Sequence, residues 1–139
     1  MSYSPNLLKN LGTKLAMEFI KEKRPPEIRL FQAILLQAFE DSLSVSNFKK
    51  ECYWKQDSHE WFMSDCNDFQ EICWNAEMDP QMVREEYIKL MKEGKIIFTK
   101  NQKSWINYRN YYKAYRNAKT KEERDLVRKT IFSDKVRNT

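Results

Sequence analysis

In the stretch NQKSWINYRNYYKAYRNAK, residues 101–119, aromatic rings and cations recur at helical spacing. Trp105, Tyr108, Tyr112 and Tyr115 fall on one helical stripe, and Arg109, Lys113 and Arg116 fall on another. Lys103, Lys119, Arg124 and Arg128 extend the basic run on both sides. Lys and Arg neutralise phosphates, and a nucleic-acid base stacked on an aromatic ring gains about 1–3 kcal/mol. Such a helix is expected to dock its rings on the core and present its cations to phosphates. The same charges would also suit an acidic protein surface or the acidic middle of a second copy of the chain; the plainest alternative is a solvated helix face. Residues 92–139 hold fourteen Lys and Arg against five acids, whereas residues 1–91 carry a net charge of −4. That asymmetry makes the C-terminal third the first place to seek a phosphate contact.

A second constellation points to DNA by its shape and away from it by its charge. DFQEICWNAEMDPQMVR, residues 68–84, has the spacing of a helix-turn-helix: Cys73 and Ala76 are the small residues at the crossing, and Ile72, Met78 and Val83 the apolar anchors. Gln81 and Arg84, at the start of the second helix, are the side chains that would read adenine and guanine edges. Residues 51–91, however, contain ten acidic side chains against three basic ones, which a phosphate backbone would repel. Glu77 also stands at the turn position where Gly is usual, so a left-handed turn there would be strained and a longer turn is an alternative.

The longer run EWFMSDCNDFQEICWNAEMDPQMVREEY resembles small, mostly uncharacterised bacteriophage-encoded proteins with a helix-turn-helix-like segment. Trp61-Phe62, Ser64-Asp65, Asp68-Phe69, Ile72-Cys73, Ala76, Asp79-Pro80 and Val83-Arg84 carry the likeness, with Glu77 where that pattern has Gly. The resemblance implies a helix-turn-helix-like core and a phage setting; it brings no activity with it.

Other chemistry is excluded more simply. Cys52, His59, Cys66 and Cys73 are seven residues apart throughout. On a continuous helix that step is about 10.5 Å of rise, too far for ligands that must lie about 2.0–2.3 Å from one zinc ion. With one His and two Gly in the chain, neither a His-based catalytic arrangement nor a phosphate-cradling glycine loop can be argued. No enzyme activity, cofactor or metal is expected. The three cysteines are expected as reduced thiols, and no apolar run approaches the roughly 18 residues of a bilayer span. A membrane partner is therefore not expected; the expected location is the cytoplasm of a bacterial host, or the virion.

The elements that must position these residues read as helical, because turn-forming Gly and Pro total six and unbranched helix formers dominate. Expected helices cover residues 6–23, ended by Pro25-Pro26, and 27–42, with Leu30, Phe31, Ile34, Leu35, Ala38 and Phe39 as a core stripe. A break is expected near Asp57, with Asp57 or Ser58 capping a short helix that turns Trp61 and Phe62 inward and Glu60 closing the cap. Asn67 or Asp68 should cap the first helix of the motif, and Asp79-Pro80 the second, which Gly94 stops. KIIFTK reads as an extended link or small strand before a helix over 101–118; Thr120 with Glu123 forms a capping box for a last helix to about Phe132. The result is a single all-α domain of six or seven helices over residues 1–139: N-terminal helices to residue 65, a helix-turn-helix-like pair over 66–94 and a basic helical region over 95–139. The function expected is that of a small non-enzymatic nucleic-acid-associated protein, phage-related, in transcription control or viral genome handling. The alternative is a protein-binding adaptor, host-complex inhibitor or viral-particle component that uses the acidic middle as its interface.

Overall fold

The computed structural model describes residues 5–20 and 24–137, without the side chains at 5, 6, 8, 13, 14 and 130–137. The chain is all-α. Its helices are α1 (Pro5–Asn10), α2 (Thr13–Ile20), α3 (Pro26–Leu43), α4 (Lys49–Ser64), α5 (Asn67–Asn75), α6 (Pro80–Lys92), α7 (Lys100–Asn117) and α8 (Lys121–Arg137). The single N-terminal helix expected from periodicity is interrupted at Leu11-Gly12, and α1 and α2 both turn leucines into the core; residues 21–23 lie outside the description. At Gly12 the chain passes the Glu86 carboxylate of α6 so closely that an added Cβ would stand 2.2 Å from Oε2.

The core is aromatic at its centre. Phe62 stacks on Tyr87 with ring centroids 4.2 Å apart, and Phe39 and Phe69 flank it at 4.7 and 5.8 Å. Leu15, Leu35, Val83 and Leu90 fill the space around these rings and are fully buried or nearly so. Burying one such side chain contributes roughly 1.5–3 kcal/mol. In α3 the buried face is narrower than the expected stripe: Leu35, Ala38 and Phe39 are buried, whereas Leu30 and Ile34 are 59% and 40% exposed. Gln32 is buried in their place, where its amide donates to Ala76 O at 3.3 Å and ties α3 to the turn after α5.

That turn has the shape the motif required, despite Glu77. Glu77 adopts φ 58°, Glu77 N donates to Trp74 O at 3.0 Å, and Met78 N donates to Cys73 O at 2.9 Å, a Schellman closure of α5. The Glu77 carboxylate accepts from Arg24 at 3.2 Å, and Arg24 also pairs with Glu18 at 3.1 Å. Asp79 caps α6 through Gln81 N at 3.0 Å, with Pro80 as the first helical residue, as its spacing implied. Cys66 rather than Asn67 or Asp68 is the N-cap of α5, and its side chain makes no capping bond. Asp68 instead accepts from Trp61 Nε1 at 2.8 Å.

The expected break near Asp57 does not occur, and α4 runs unbroken through it. The reason is burial of the polar pair Lys55 and Gln56, whose residue types disguise an inward face. Residues 93–99 link α6 to α7 without forming a strand. Thr99 then opens α7 with a capping box: Gln102 N donates to Thr99 Oγ1 at 3.2 Å and Thr99 N donates to Gln102 Oε1 at 3.0 Å. At α8, Glu123 N donates to Thr120 Oγ1 at 3.2 Å, while the Glu123 carboxylate accepts from Lys119 N at 2.8 Å, one residue earlier than a capping box would place it.

Candidate nucleic-acid interface

The basic region is attached to the core by polar contacts. Among the described residues, the buried apolar cluster ends at Ile96, and α7 packs on α4 with α8 packed on α7. Gln102 is the buried residue of α7. Its amide donates to Ser44 O and Ser46 O at 3.0 and 3.1 Å, and its Oε1 accepts from the Lys55 ammonium at 3.0 Å. Lys55 also donates to Ser44 O at 2.6 Å and to Ile97 O, and lies 4.8 Å from the centroid of the Phe98 ring. Burial pushes this ammonium down to about 8. It stays charged at neutral pH, and every oxygen it reaches is uncharged. This node fixes the start of α7 against α4, the 44–46 loop and the 97–99 link.

Further along, Arg109 clips the two helices together. Its guanidinium donates to Asp57 Oδ1 and Oδ2 at 2.8 and 3.3 Å, to Gln56 Oε1 at 3.3 Å and to Tyr53 O at 3.3 Å. The expectation that rings face inward and cations outward fails at Arg109, Tyr108 and Tyr112, whereas Lys113 and Arg116 are exposed as expected. At this point α4 offers the Tyr53 carbonyl, the Gln56 amide oxygen, the Asp57 carboxylate and the face of the Tyr53 ring, all of which attract a guanidinium. Arg109 therefore turns inward, and Tyr108 and Tyr112 remain 44% and 40% exposed.

The exposed rings and the remaining cations share one open concavity of about 500 Å³ between α4 and α7. Lys49 and Tyr53 line it from α4, one helical turn apart; Tyr108, Arg109, Tyr112, Lys113 and Arg116 line it from α7. No carboxylate is in the lining. Tyr108 and Tyr112 have ring centroids 4.7 Å apart, and the hydroxyl of Tyr108 raises the Tyr112 phenol above its ordinary value. The Lys49 ammonium lies 5.3 to 5.8 Å from the centroids of Tyr108, Trp105 and Tyr53. Among the described residues, Lys49, Lys113 and Arg116 have no carboxylate partner. Lys49 and Tyr53 escaped the sequence reading because the contact that brings them to α7 spans more than fifty residues.

The other sequence-derived candidates divide clearly. Lys103, Lys119, Arg124 and Arg128 are exposed, and the guanidinium carbons of Arg124 and Arg128 lie 6.0 and 5.6 Å from the Tyr115 ring centroid, on the α7–α8 side of the concavity's helix. On the helix-turn-helix-like pair, Arg84 is committed elsewhere: it donates to Met63 O at 3.1 Å and lies 3.7 Å from Asp65, holding the α4–α5 turn against α6. Gln81 is exposed and donates to Glu85 at 3.2 Å. The recognition-like helix thus has one candidate base reader bound to its own protein and the other bonded to a carboxylate.

Among the described residues, no three His, Cys, Asp or Glu side chains converge as metal ligands. Cys52 and Cys73 are buried, and burial pushes the Cys73 thiol up to about 12. No described helix is long and apolar enough to cross a membrane. Comparison with protein-family models, with curated proteins and with solved structures gives no match, so the reading of this site rests on its own chemistry.

Proposed function

We propose that this chain is a small non-enzymatic nucleic-acid-associated protein, phage-related, acting in transcription control or viral genome handling, and that it contacts phosphates through α7 and the start of α4. The observation that carries the reading is the α4–α7 concavity, which joins cations and exposed tyrosines in a lining free of carboxylates. Lys103, Lys119, Arg124 and Arg128 extend the positive surface around it. The acidic helix-turn-helix-like pair acts as scaffold on this reading, since Arg84 is spent on Met63 and Asp65.

Fluorescence anisotropy with labelled duplex DNA, single-stranded DNA and RNA at several salt concentrations tests it. Binding should weaken steeply with salt, because each neutralised phosphate releases counterions. The triple variant Lys49→Glu/Lys113→Glu/Arg116→Glu should abolish binding, whereas Gln81→Ala should leave it unchanged. Arg109 is left out of that set because its removal would unlatch α7. Absence of binding to every nucleic acid at low salt would overturn the reading in favour of a protein-binding adaptor or viral-particle component. Trp74 supports that second reading: it is 61% exposed on α5, with the exposed carboxylate of Glu71 one helical turn before it.

A further inference from the structure

Resting on the nucleic-acid reading above, we infer that the concavity takes single strands, with Tyr108 and Tyr112 stacking bases and Lys49, Lys113 and Arg116 holding the flanking phosphates. Three independent features separate this from duplex binding. First, the exposed rings lie inside the concavity, among the cations. A duplex presents phosphates and groove edges to a protein and keeps its base faces stacked on one another, so rings so placed would be idle against it; a single strand offers a base face at each nucleotide.

Second, the spacing suits a strand laid along the helix. Tyr108, Tyr112 and Arg116 succeed one another at four-residue intervals on α7, about 6 Å of rise per step. That is the scale of the phosphate-to-phosphate distance in an extended strand, so successive nucleotides can meet the two rings and then the Arg116 cation. Third, the Tyr108 face already attracts a positive group. Lys49 lies 5.3 Å from its centroid and, among the described residues, has no carboxylate partner, so an incoming base displaces the ammonium from the ring towards a phosphate. The element built for duplex reading, α6, offers no comparable surface: its Arg84 is bound to backbone and its Gln81 to Glu85.

The test compares a labelled oligothymidine of about twenty nucleotides, the same length of duplex and an oligouridine, using the full chain. The oligothymidine should bind at least tenfold more tightly than the duplex. Tyr108→Ala/Tyr112→Ala should lose on the order of tenfold or more in single-strand affinity, given the stacking range of about 5- to 150-fold per base. Tyr108→Phe/Tyr112→Phe should retain it, since the ring and not the hydroxyl stacks. Both rings are surface groups, and a thermal melt of each variant verifies that the fold is intact. Duplex binding equal to or tighter than single-strand binding, or an alanine double variant that binds the oligothymidine as well as wild type, overturns the inference. If the Lys49/Lys113/Arg116 reversal abolishes duplex binding in that case, the nucleic-acid reading itself stands. If no nucleic acid binds at all, both fall together. Equal affinity for oligothymidine and oligouridine is the expected outcome, because no group in the concavity's lining is committed to a 2′-hydroxyl.

Discussion

The residue types most misleading in this sequence are the polar ones that the fold buries. Lys55 and Gln102 look like solvated helix residues, yet each is about 1% exposed and each joins segments far apart in sequence. Nothing in the local pattern marks them, since periodicity counts apolar side chains and these are not. Gln102→Leu should lower stability by roughly 2 kcal/mol or more in urea denaturation, because each buried group left unpaired costs about 1–3 kcal/mol. Lys55 carries a distinct pH signature. With its folded-state value pushed down to about 8 from 10.5, the unfolded chain holds a proton between those values that the folded chain has released. Its contribution makes stability rise with pH across that window, so the difference between wild type and Lys55→Met should slope from about pH 8 to 10.5 and be flat below. His59, 2.7 Å from the Tyr87 hydroxyl, is pushed below its ordinary value by burial. Below about pH 6.5 the unfolded chain gains a proton that the folded chain resists, so stability falls with acidification. His59→Gln should flatten that part of an acid titration followed by circular dichroism.

At the scale of elements, the start of α6 was legible in local chemistry, but the caps expected at Asp57 or Ser58 and at Asn67 or Asp68, and the continuity of α4, were not. Asp79-Pro80 starts α6 because both signals act within two residues, whereas α3 starts at Pro26 on the proline signal alone, with no side-chain cap from Pro25. The unbroken course of α4 depends on what Lys55 meets in the 44–46 loop and the 97–99 link, which no local window contains. The candidate site was half legible for the same cause: α7's stripe of rings and cations lies in one segment, but their outward or inward choice is set by the oxygens of α4. The turn between α5 and α6 permits a sharp test. Glu77 pays a left-handed conformational cost that Gly would avoid, and its pair with Arg24 is on an exposed side chain, where ion pairs contribute little. Glu77→Gly should therefore stabilise the protein, by about 0.5–1 kcal/mol in a thermal melt. At the α4–α7 clip, Asp57→Asn should cost less than about 1 kcal/mol and should strengthen nucleic-acid binding by removing the carboxylate that neutralises Arg109.

For the whole molecule, charge and packing divide the chain at nearly the same place. Among the described residues the apolar cluster closes with Ile96, and the net positive third begins at residue 92. The core could thus be shaped by hydrophobic burial while the basic helices were left to polar anchoring, and the sequence displayed the charge division openly but gave no sign of the packing one. Among the described residues, the Gln102 node, the Arg109 clip and surface rings hold α7 on α4, and Gln102 is its buried residue, so little buried apolar area ties this helix to the core. It should constitute a separate foldon: its amides would exchange with deuterium through a subglobal opening at lower free energy than those of α3, α4 or α6. A ligand bridging α4 and α7 must close that opening before it can bind fully, so occupancy would be recorded as protection spreading along α7 while the exchange of α3 stays as it was.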